Sequence, residues 1–261
     1  MVIGSRTVDV VGHEMPSPVS YEQIGAAYPS ARKTEPRIAE YIWRALGDAR
    51  TVLNVGAGTG SYEPPDRDVM AVEPSVVMRA QRPPGSASCV DAQAEALPFP
   101  DDSFDVAMAI LSDHHWRDPI AGLLEMRRVA RRVVIFQWDQ EQIDRFWLVR
   151  DYMPEYHALT IGSPTLKERA TAINATMEPV PIPWDCTDGF FHAYWRRPEA
   201  YLTEAVRRGS SVWARVGEQA EKRAVAALTK DLRTGTWAQR NRELLDQDSL
   251  DLGARLLVAP G

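Results

Sequence analysis

Several features that mark particular classes of protein are scarce or missing in this sequence. Two cysteines occur among the 261 residues, Cys89 and Cys186, and they give neither a disulfide framework nor the spacing of a metal site. No apolar run approaches the ~20 residues that a transmembrane helix requires. The amino terminus lacks the basic start and apolar run of a signal peptide. We therefore expect a cytoplasmic protein with reduced thiols, no membrane segment and no metal.

An excess of positive charge is missing as well. The formal net charge is −6, whereas proteins that bind the nucleic-acid backbone present a basic face. The arginine pairs of this chain are scattered along it instead of clustered. This balance disfavours nucleic acid as the main partner and favours a small molecule. Nothing in the sequence indicates an oligomeric state.

Short apolar runs alternate with helical segments in the first half of the chain. Runs typical of buried strands lie at Thr51–Val55, Val69–Val72, Ala87–Val90, Phe104–Leu111 and Val133–Trp138. Helices are predicted from Pro36 to near Gly47, with Thr34 as the cap, and over Ser75–Gln81 and Pro119–Ala130. This alternation predicts an α/β fold with a doubly wound, mostly parallel sheet.

The alternation ends after Trp138. Helices interrupted by prolines are predicted over residues 140–182 and 198–247, with strands at Gly189–Trp195 and Leu252–Ala259. The chain is thus expected to divide into a flexible arm (1–19), a cofactor-binding core (20–138), a helical cap inserted after the fifth strand (139–185), and the remaining helices and last strands (186–261).

A glycine-rich turn follows the first predicted strand and reads VLNVGAGTG over residues 52–60. Glycine permits tight turning and close approach of the backbone to a ligand, and doubly wound folds hold cofactors at the carboxyl ends of strands. The spacing is G-x-G-x-G, and Pro64 and Pro65 disfavour the helix that would hold a pyrophosphate. The pattern therefore argues against a nicotinamide-binding oxidoreductase, and a turn without any ligand remains the simplest alternative.

Two acidic residues follow the next two strands. Glu73 ends the second strand, where a carboxylate can accept hydrogen bonds from both ribose hydroxyls, although it can instead cap the helix near Ser75. Asp91 follows the third strand and can accept from an adenine amino group, with the backbone of Ala92 beside it. In register with the glycine turn, these positions predict a site for an adenosyl group.

Three segments in order, VLNVGAGTG, AVEPS and DAQAEALPFPDDSFDVAMAILSDHHWRDP, resemble the motifs of class I S-adenosylmethionine-dependent methyltransferases, in particular the type 11 small-molecule group. The resemblance implies a Rossmann-like seven-stranded sheet, S-adenosyl-L-methionine as the cofactor, and methyl transfer to oxygen, nitrogen or carbon of a small metabolite, as in secondary metabolism. A relative that binds the same cofactor and catalyses a rearrangement, or only senses the cofactor, is the alternative that these motifs leave open.

The resemblance also implies a set of cofactor contacts. The residues expected in this set are Tyr21, Tyr28, Arg32, Asn54, Gly56, Ala57, Gly58, Gly60, Glu73, Pro74, Asp91, Ala92 and Leu111. Arg32 would pair with the methionine carboxylate, and Leu111 would pack beneath the sulfonium. The chain departs from the family pattern between Gly60 and Val69, where the short spacing predicts that the first crossover helix is reduced to a turn.

Catalytic candidates lie in the segment SDHHW, at the carboxyl end of the fourth predicted strand. His114, and after it His115, are candidates for a base that deprotonates an O–H or N–H acceptor, or for a hydrogen-bond partner of the substrate, although the pair can also serve only to shape the loop. Trp116, Trp138 and Phe146 are the candidate substrate residues. Most aromatic residues of the second half are expected in the core, and an aromatic-lined pocket would suit an apolar or aromatic metabolite.

Overall fold

The computed structural model of the protein describes residues 32–261, so Tyr21, Tyr28 and the arm predicted at residues 1–19 lie outside the described residues. The strands of the described chain are β1 (Thr51–Val55), β2 (Asp68–Val72), β3 (Ser88–Val90), β4 (Phe104–Ile110), β5 (Ala130–Trp138), β6 (Thr176–Pro179), β7 (Ile182–Pro183), β8 (Ser249–Leu250) and β9 (Ala254–Ala259). Seven of them form one sheet in the order β3-β2-β1-β4-β5-β9-β6, and β7 pairs with β8.

The sheet is mostly parallel. Strand β1 pairs in parallel with β2 and β4, and the parallel pairing continues to β3 on one side and β5 on the other. Strand β9 is antiparallel to both β5 and β6. The predicted α/β class and the first five strands are confirmed, each strand within three residues at either end. Buried apolar runs such as Val52–Val55 explain this success, because a central parallel strand is covered on both faces.

Nine α-helices are described: α1 (Pro36–Leu46), α2 (Val76–Ala80), α3 (Pro119–Val129), α4 (Trp147–Tyr152), α5 (Leu166–Ala172), α6 (Glu204–Arg208), α7 (Ser211–Val216), α8 (Glu218–Thr234) and α9 (Thr236–Arg240). Helix α1 ends at Gly47, as predicted, with φ +64°. Its cap is Glu35 and not Thr34, since the Glu35 carboxylate accepts from the backbone N–H of Arg37. The Thr34 hydroxyl instead accepts from the backbone N–H of Tyr62 at 3.0 Å.

The strand predicted at Gly189–Trp195 is wrong. This segment forms consecutive turns, one of them closed by a 3.0 Å bond from Ala193 N–H to the Phe190 carbonyl. Five neighbouring side chains from Phe190 to Trp195, all except Tyr194, are buried, whereas a half-buried strand would alternate between two environments. An apolar, aromatic run therefore marks a core segment here. The sixth sheet strand is β6, whose four residues are all exposed and give no apolar pattern.

The short crossover after Gly60 contains turns and no helix, which confirms the prediction for this segment. The carboxyl ends of β1, β2, β4 and β5 share one edge of the sheet because these strands run in parallel. The glycine turn, Glu73, the SDHHW segment and Trp138 all emerge at this edge. In residues 32–261, no helix has the length and apolar character to cross a membrane.

Candidate cofactor and substrate cavities

The glycine turn closes tightly against the end of β2. The backbone N–H groups of Gly56 and Ala57 both donate to the Val72 carbonyl, at 2.9 and 3.0 Å. Gly56 has φ +68°, and a Cβ built on it would lie 2.6 Å from the Cβ of Ser112. The Ser112 hydroxyl is itself fixed by a 2.9 Å bond to the Val55 carbonyl. The turn therefore presents bare backbone because no side chain fits at Gly56.

Glu73 is buried, with 7% of its surface exposed, and holds the turn from the other side. Its Oε2 accepts from the backbone N–H of Gly58 at 2.8 Å, and its Oε1 accepts from that of Ser75 at 2.9 Å. The cap of helix α2 is Ser75 itself. An ionised carboxylate offers about four lone-pair sites, so two remain after these bonds. Glu73 thus supports the turn and keeps acceptors for a diol.

A cavity of about 330 Å³ opens between the glycine turn, β2 and β4. This first cavity brings together nine residues of the predicted cofactor set, namely Arg32, Asn54, Gly56, Ala57, Gly58, Glu73, Pro74, Ala92 and Leu111. Its volume lies within the range of roughly 300–1,000 Å³ of small-molecule sites. Sequence reasoning missed Ser75, Met78, Gln93 and Ser112, which line the same cavity but carry no spacing signal.

Two predicted contacts are not among the lining residues. The Asp91 side chain is 66% exposed and pairs with Arg79 at 2.8 Å, so its adenine role stays a prediction. Gly60 packs against Glu63 and Arg82, which form an ion pair at 2.9 Å. The Asn54 amide donates to the same Glu63 carboxylate at 3.1 Å. Glu63 belongs to the shortened crossover, which contains turns and no helix.

Arg32 reaches the first cavity from the start of the described chain. Its Nε and Nη2 donate to the two carboxylate oxygens of Asp188 at 2.6 and 3.1 Å. Asp188 is fully buried and also accepts from the Tyr62 hydroxyl at 2.8 Å. A bidentate, buried partner fixes the guanidinium in place. Pairing of Arg32 with a cofactor carboxylate stays a prediction, and the geometry assigns Asp188 as its internal partner.

A second cavity of about 110 Å³ adjoins the first. Its walls include aromatic and imidazole rings, among them His114, Trp138, Tyr156, Phe190, Phe191 and His192. The two cavities share Arg32, Leu111 and His115 in their walls. Residues 156–163 of the predicted cap region supply part of this second wall. The arrangement places a small aromatic chamber beside the cofactor-sized one.

Leu111 separates the cavities in an unusual backbone conformation. Its φ is +52°, although it is not a glycine, and its N–H donates to the Phe136 carbonyl at 2.8 Å. A non-glycine residue in this region costs of order 1–3 kcal/mol and persists only where its surroundings impose it. Such conformations cluster at functional sites. The predicted position of Leu111 at the cofactor is consistent with this wall.

A buried polar network lies behind His114. Asp113 is fully buried, and its Oδ2 accepts from Arg169 Nη1 at 2.6 Å. Its Oδ1 accepts from the side-chain amide of Gln137. The same Gln137 Nε2 lies 2.9 Å from His114 Nδ1. Gln137 is also held by the backbone N–H of Trp138, which donates to its Oε1 at 2.8 Å.

These contacts decide which His114 nitrogen carries the proton. The Gln137 amide cannot be reversed, because its oxygen would then face the Asp113 carboxylate and its NH₂ the Trp138 N–H. Gln137 Nε2 therefore donates, His114 Nδ1 accepts, and the proton lies on Nε2. Burial, with the nearby Arg169 charge, lowers the pKa of His114 to about 3. A neutral imidazole with its proton on Nε2 can donate a hydrogen bond from that nitrogen, and the role of His114 as a base stays a prediction.

Of the other predicted catalytic and substrate residues, all except Phe146 line at least one of the two cavities. His115 packs on His114 at 3.8 Å between ring centroids and is exposed. Trp116, expected at the substrate, lies in the wall of the first cavity, next to Gly56. Trp138 lines the second cavity. Phe146 is fully buried and lines neither; its ring centroid lies 4.7 Å from that of His192.

The chain is similar in sequence and in fold to known proteins. Residues 53–136 match a family described as a methyltransferase domain. A solved structure from Anabaena variabilis, described as a methyltransferase from an antibiotic biosynthesis pathway, is 30% identical, with a TM-score of 0.82, and the match covers 88% of this chain and 99% of that one. The chain belongs to the class I S-adenosylmethionine-dependent methyltransferases.

Curated relatives share sequence similarity with this chain over only part of their length. The uncharacterized methyltransferase YcgJ of Bacillus subtilis is 28% identical over 49% of this chain, and Rv3342 of Mycobacterium tuberculosis is 34% identical over 43%. Each match spans 48% of the relative, about half of its length. The solved structure of the [4+2]-cyclase SpnF is 16% identical with a TM-score of 0.50, which shows a shared fold alone.

The residues of the first cavity fit the cofactor of this family, S-adenosylmethionine. Gly56 lines this cavity, and its lack of a Cβ lets the turn pack against Ser112 and Trp116. The lone pairs that Glu73 retains suit two adjacent ribose hydroxyls. Arg32, Leu111 and His115 at the boundary would surround the methionine end, since they face both cavities.

Replacing Glu73 with glutamine is expected to weaken S-adenosylhomocysteine binding by about 1–3 kcal/mol, because one amide hydrogen would face a backbone donor and one ribose acceptor would be lost. This corresponds to roughly 5- to 150-fold in Kd, measured by titration calorimetry. Asp101→Asn, at an exposed carboxylate that pairs with Arg128 outside both cavities, serves as the comparison and is expected to bind as the unchanged protein does. Full affinity in Glu73→Gln would contradict the ribose assignment.

Proposed function

We propose that this methyltransferase transfers the methyl group of S-adenosylmethionine to a small metabolite held in the second cavity. The observation that carries the proposal is the shared wall, Arg32, Leu111 and His115, where the cofactor-sized cavity meets the aromatic chamber. A reaction between two bound molecules requires such adjacent sites, since the reacting atoms must approach to about 3–3.5 Å.

When bound, S-adenosylmethionine supplies an electrophilic methyl group on a sulfonium. The residues of the chain would bind and orient the reactants. The glycine turn and Glu73 would hold the adenosyl end, and Leu111 would fix its depth. Trp138 and Phe190 would exclude water from the acceptor, which helps because a displacement that disperses charge is favoured in a dry pocket. His114 would donate a hydrogen bond from Nε2 to an oxygen or nitrogen atom of the metabolite.

The composition of the second cavity supports a neutral or anionic aromatic acceptor. No carboxylate is present among its described wall residues, and Arg215 adds a positive charge. A cationic amine would therefore meet no counter-charge. The net charge of −6 supports a metabolite over nucleic acid. The pathway named for the Anabaena variabilis relative supports a role in secondary metabolism, and we place the enzyme in the cytoplasm on its cysteine usage.

Incubation with S-adenosylmethionine that carries a ¹³C-labelled methyl group is expected to label small aromatic acceptors, detected by mass spectrometry and NMR. Gly56→Ala serves as the variant without a working cofactor site. The alternative is a relative that binds the cofactor and catalyses a rearrangement or senses it. Binding of S-adenosylhomocysteine without any label transfer across a broad metabolite extract would favour that alternative and contradict methyl transfer.

A further inference from the structure

His192 is a buried imidazole in the wall of the second cavity, and it is not among the predicted site residues. It is 1% exposed, and neither of its ring nitrogens has a hydrogen-bond partner within residues 32–261. A neutral imidazole carries one donor and one acceptor. Buried polar groups are nearly always paired, so a side chain with two unpaired nitrogens at a cavity requires an explanation.

The His192 ring is held rigidly by its aromatic neighbours. It stacks on Trp138 with 3.8 Å between centroids and a 24° angle between planes. Phe146 lies 4.7 Å away, and Phe191 meets it edge-on at 5.2 Å. His192 is itself one of the residues that line the second cavity. Burial lowers the pKa of His192 to about 3, so the ring is neutral at neutral pH and one nitrogen is an acceptor.

The charges around the chamber narrow the chemistry of a ligand. Arg32 is held by Asp188, and the Arg215 guanidinium donates to the Leu159 carbonyl at 3.1 Å. With cations and no carboxylate in the described wall, an ammonium group is disfavoured and an uncharged donor is favoured. Flat rings pack well against Trp138 and Phe190, whose centroids lie 5.4 Å apart. A hydroxyl on an aromatic ring meets both requirements.

We propose that His192 binds the methyl acceptor by accepting a hydrogen bond from a hydroxyl group carried on an aromatic or conjugated ring. This proposal rests on the proposed function and extends it to a substrate class and a specificity-determining residue. His114, with its proton on Nε2, supplies the matching donor in the same cavity. Substrates of the same shape that lack the hydroxyl leave His192 unpaired and are rejected.

The test uses the whole protein, labelled with ¹⁵N-histidine and saturated with S-adenosylhomocysteine, and compares phenol with toluene as probes. We expect phenol to move the ring-nitrogen signal of His192 and to bind at least ~10-fold tighter than toluene. In His192→Phe this preference is expected to disappear, while the affinity for S-adenosylhomocysteine stays unchanged. His157→Phe, a substitution at an exposed histidine outside both cavities, is expected to keep the preference.

Two results would overturn the proposal. One is a ring-nitrogen signal of His192 that does not change when phenol is added. This result would mean that water or protein groups already form hydrogen bonds with the His192 nitrogens. The measurement uses the unchanged protein, so it remains decisive even if His192→Phe fails to fold. The other is an undiminished phenol preference in a folded His192→Phe. Failure of the proposed function is distinguishable, because it would appear as absent S-adenosylhomocysteine binding or absent label transfer while the His192–phenol contact persists.

Discussion

Gly56→Ala is expected to lose most of its affinity for S-adenosylhomocysteine. The added Cβ lies 2.6 Å from the Cβ and 2.8 Å from the hydroxyl of Ser112, and the backbone keeps φ +68°. Ser112 cannot yield easily, because its hydroxyl is bonded to the Val55 carbonyl. Overpacking and backbone strain together cost about 2–4 kcal/mol. We expect the turn to relieve this cost by breaking its hydrogen bonds to the Val72 carbonyl. This movement would displace the cavity wall that the cofactor contacts.

Titration calorimetry is expected to give a Kd raised roughly 30- to 1,000-fold for Gly56→Ala. Gly85→Ala is the matched control, since Gly85 has φ +83°, lies outside the cavity and has no atom within 4 Å of a built Cβ. The Gly85→Ala variant has similar backbone strain but no steric clash. It is expected to bind S-adenosylhomocysteine normally and to show a small decrease in melting temperature. Equal, tight binding by both variants would show that bare backbone at Gly56 is not needed.

Asp113→Ala is expected to produce the largest loss of stability. Asp113 and Arg169 have side chains 0% and 1% exposed, and they pair at 2.6 Å. Removing the carboxylate leaves the Arg169 charge buried without its counter-charge and costs about 3–5 kcal/mol. For a chain of this size, the melting temperature is expected to fall by roughly 6–20 °C. Thermal denaturation followed by circular dichroism measures this directly.

The double variant Asp113→Asn with Arg169→Met is the control for this prediction. It contains no buried charge, so we expect it to regain a large part of the lost stability relative to Asp113→Ala. An asparagine at position 113 can still accept from Gln137 Nε2 through its amide oxygen, so the orientation of Gln137 toward His114 is expected to persist in the double variant. A melting temperature in Asp113→Ala equal to that of the unchanged protein would contradict the buried pair.

The cofactor half of the site was predictable because its signals are local. The strand, the glycine turn and Glu73 lie within about 22 residues of one another. A glycine-rich turn at the end of a strand indicates close approach of a ligand to the backbone. Positions in parallel strands then bring Gly56, Glu73 and Leu111 to one edge without further information. Only Asp91 and Gly60 among the described members of that set lie outside the lining of the first cavity.

The substrate half was not predictable in the same way. Its contacts join distant segments, such as Asp113 with Arg169, 56 positions apart, and Arg32 with Asp188, 156 apart. Aromatic and apolar runs favour strands and cores alike, which is why Gly189–Trp195 was predicted as a strand. His192 lies in that run, and its importance depends on an absent partner, a property that only three-dimensional packing reveals.

The left-handed backbone at Leu111 has a consequence for how this enzyme can vary. Glycine would suit that conformation better and relieve a cost the fold now bears. It would also remove the Leu111 side chain from the shared wall of the two cavities. Selection for stability and selection for activity therefore favour different residues at position 111. Laboratory evolution toward heat resistance is expected to lower activity first through substitutions at this position.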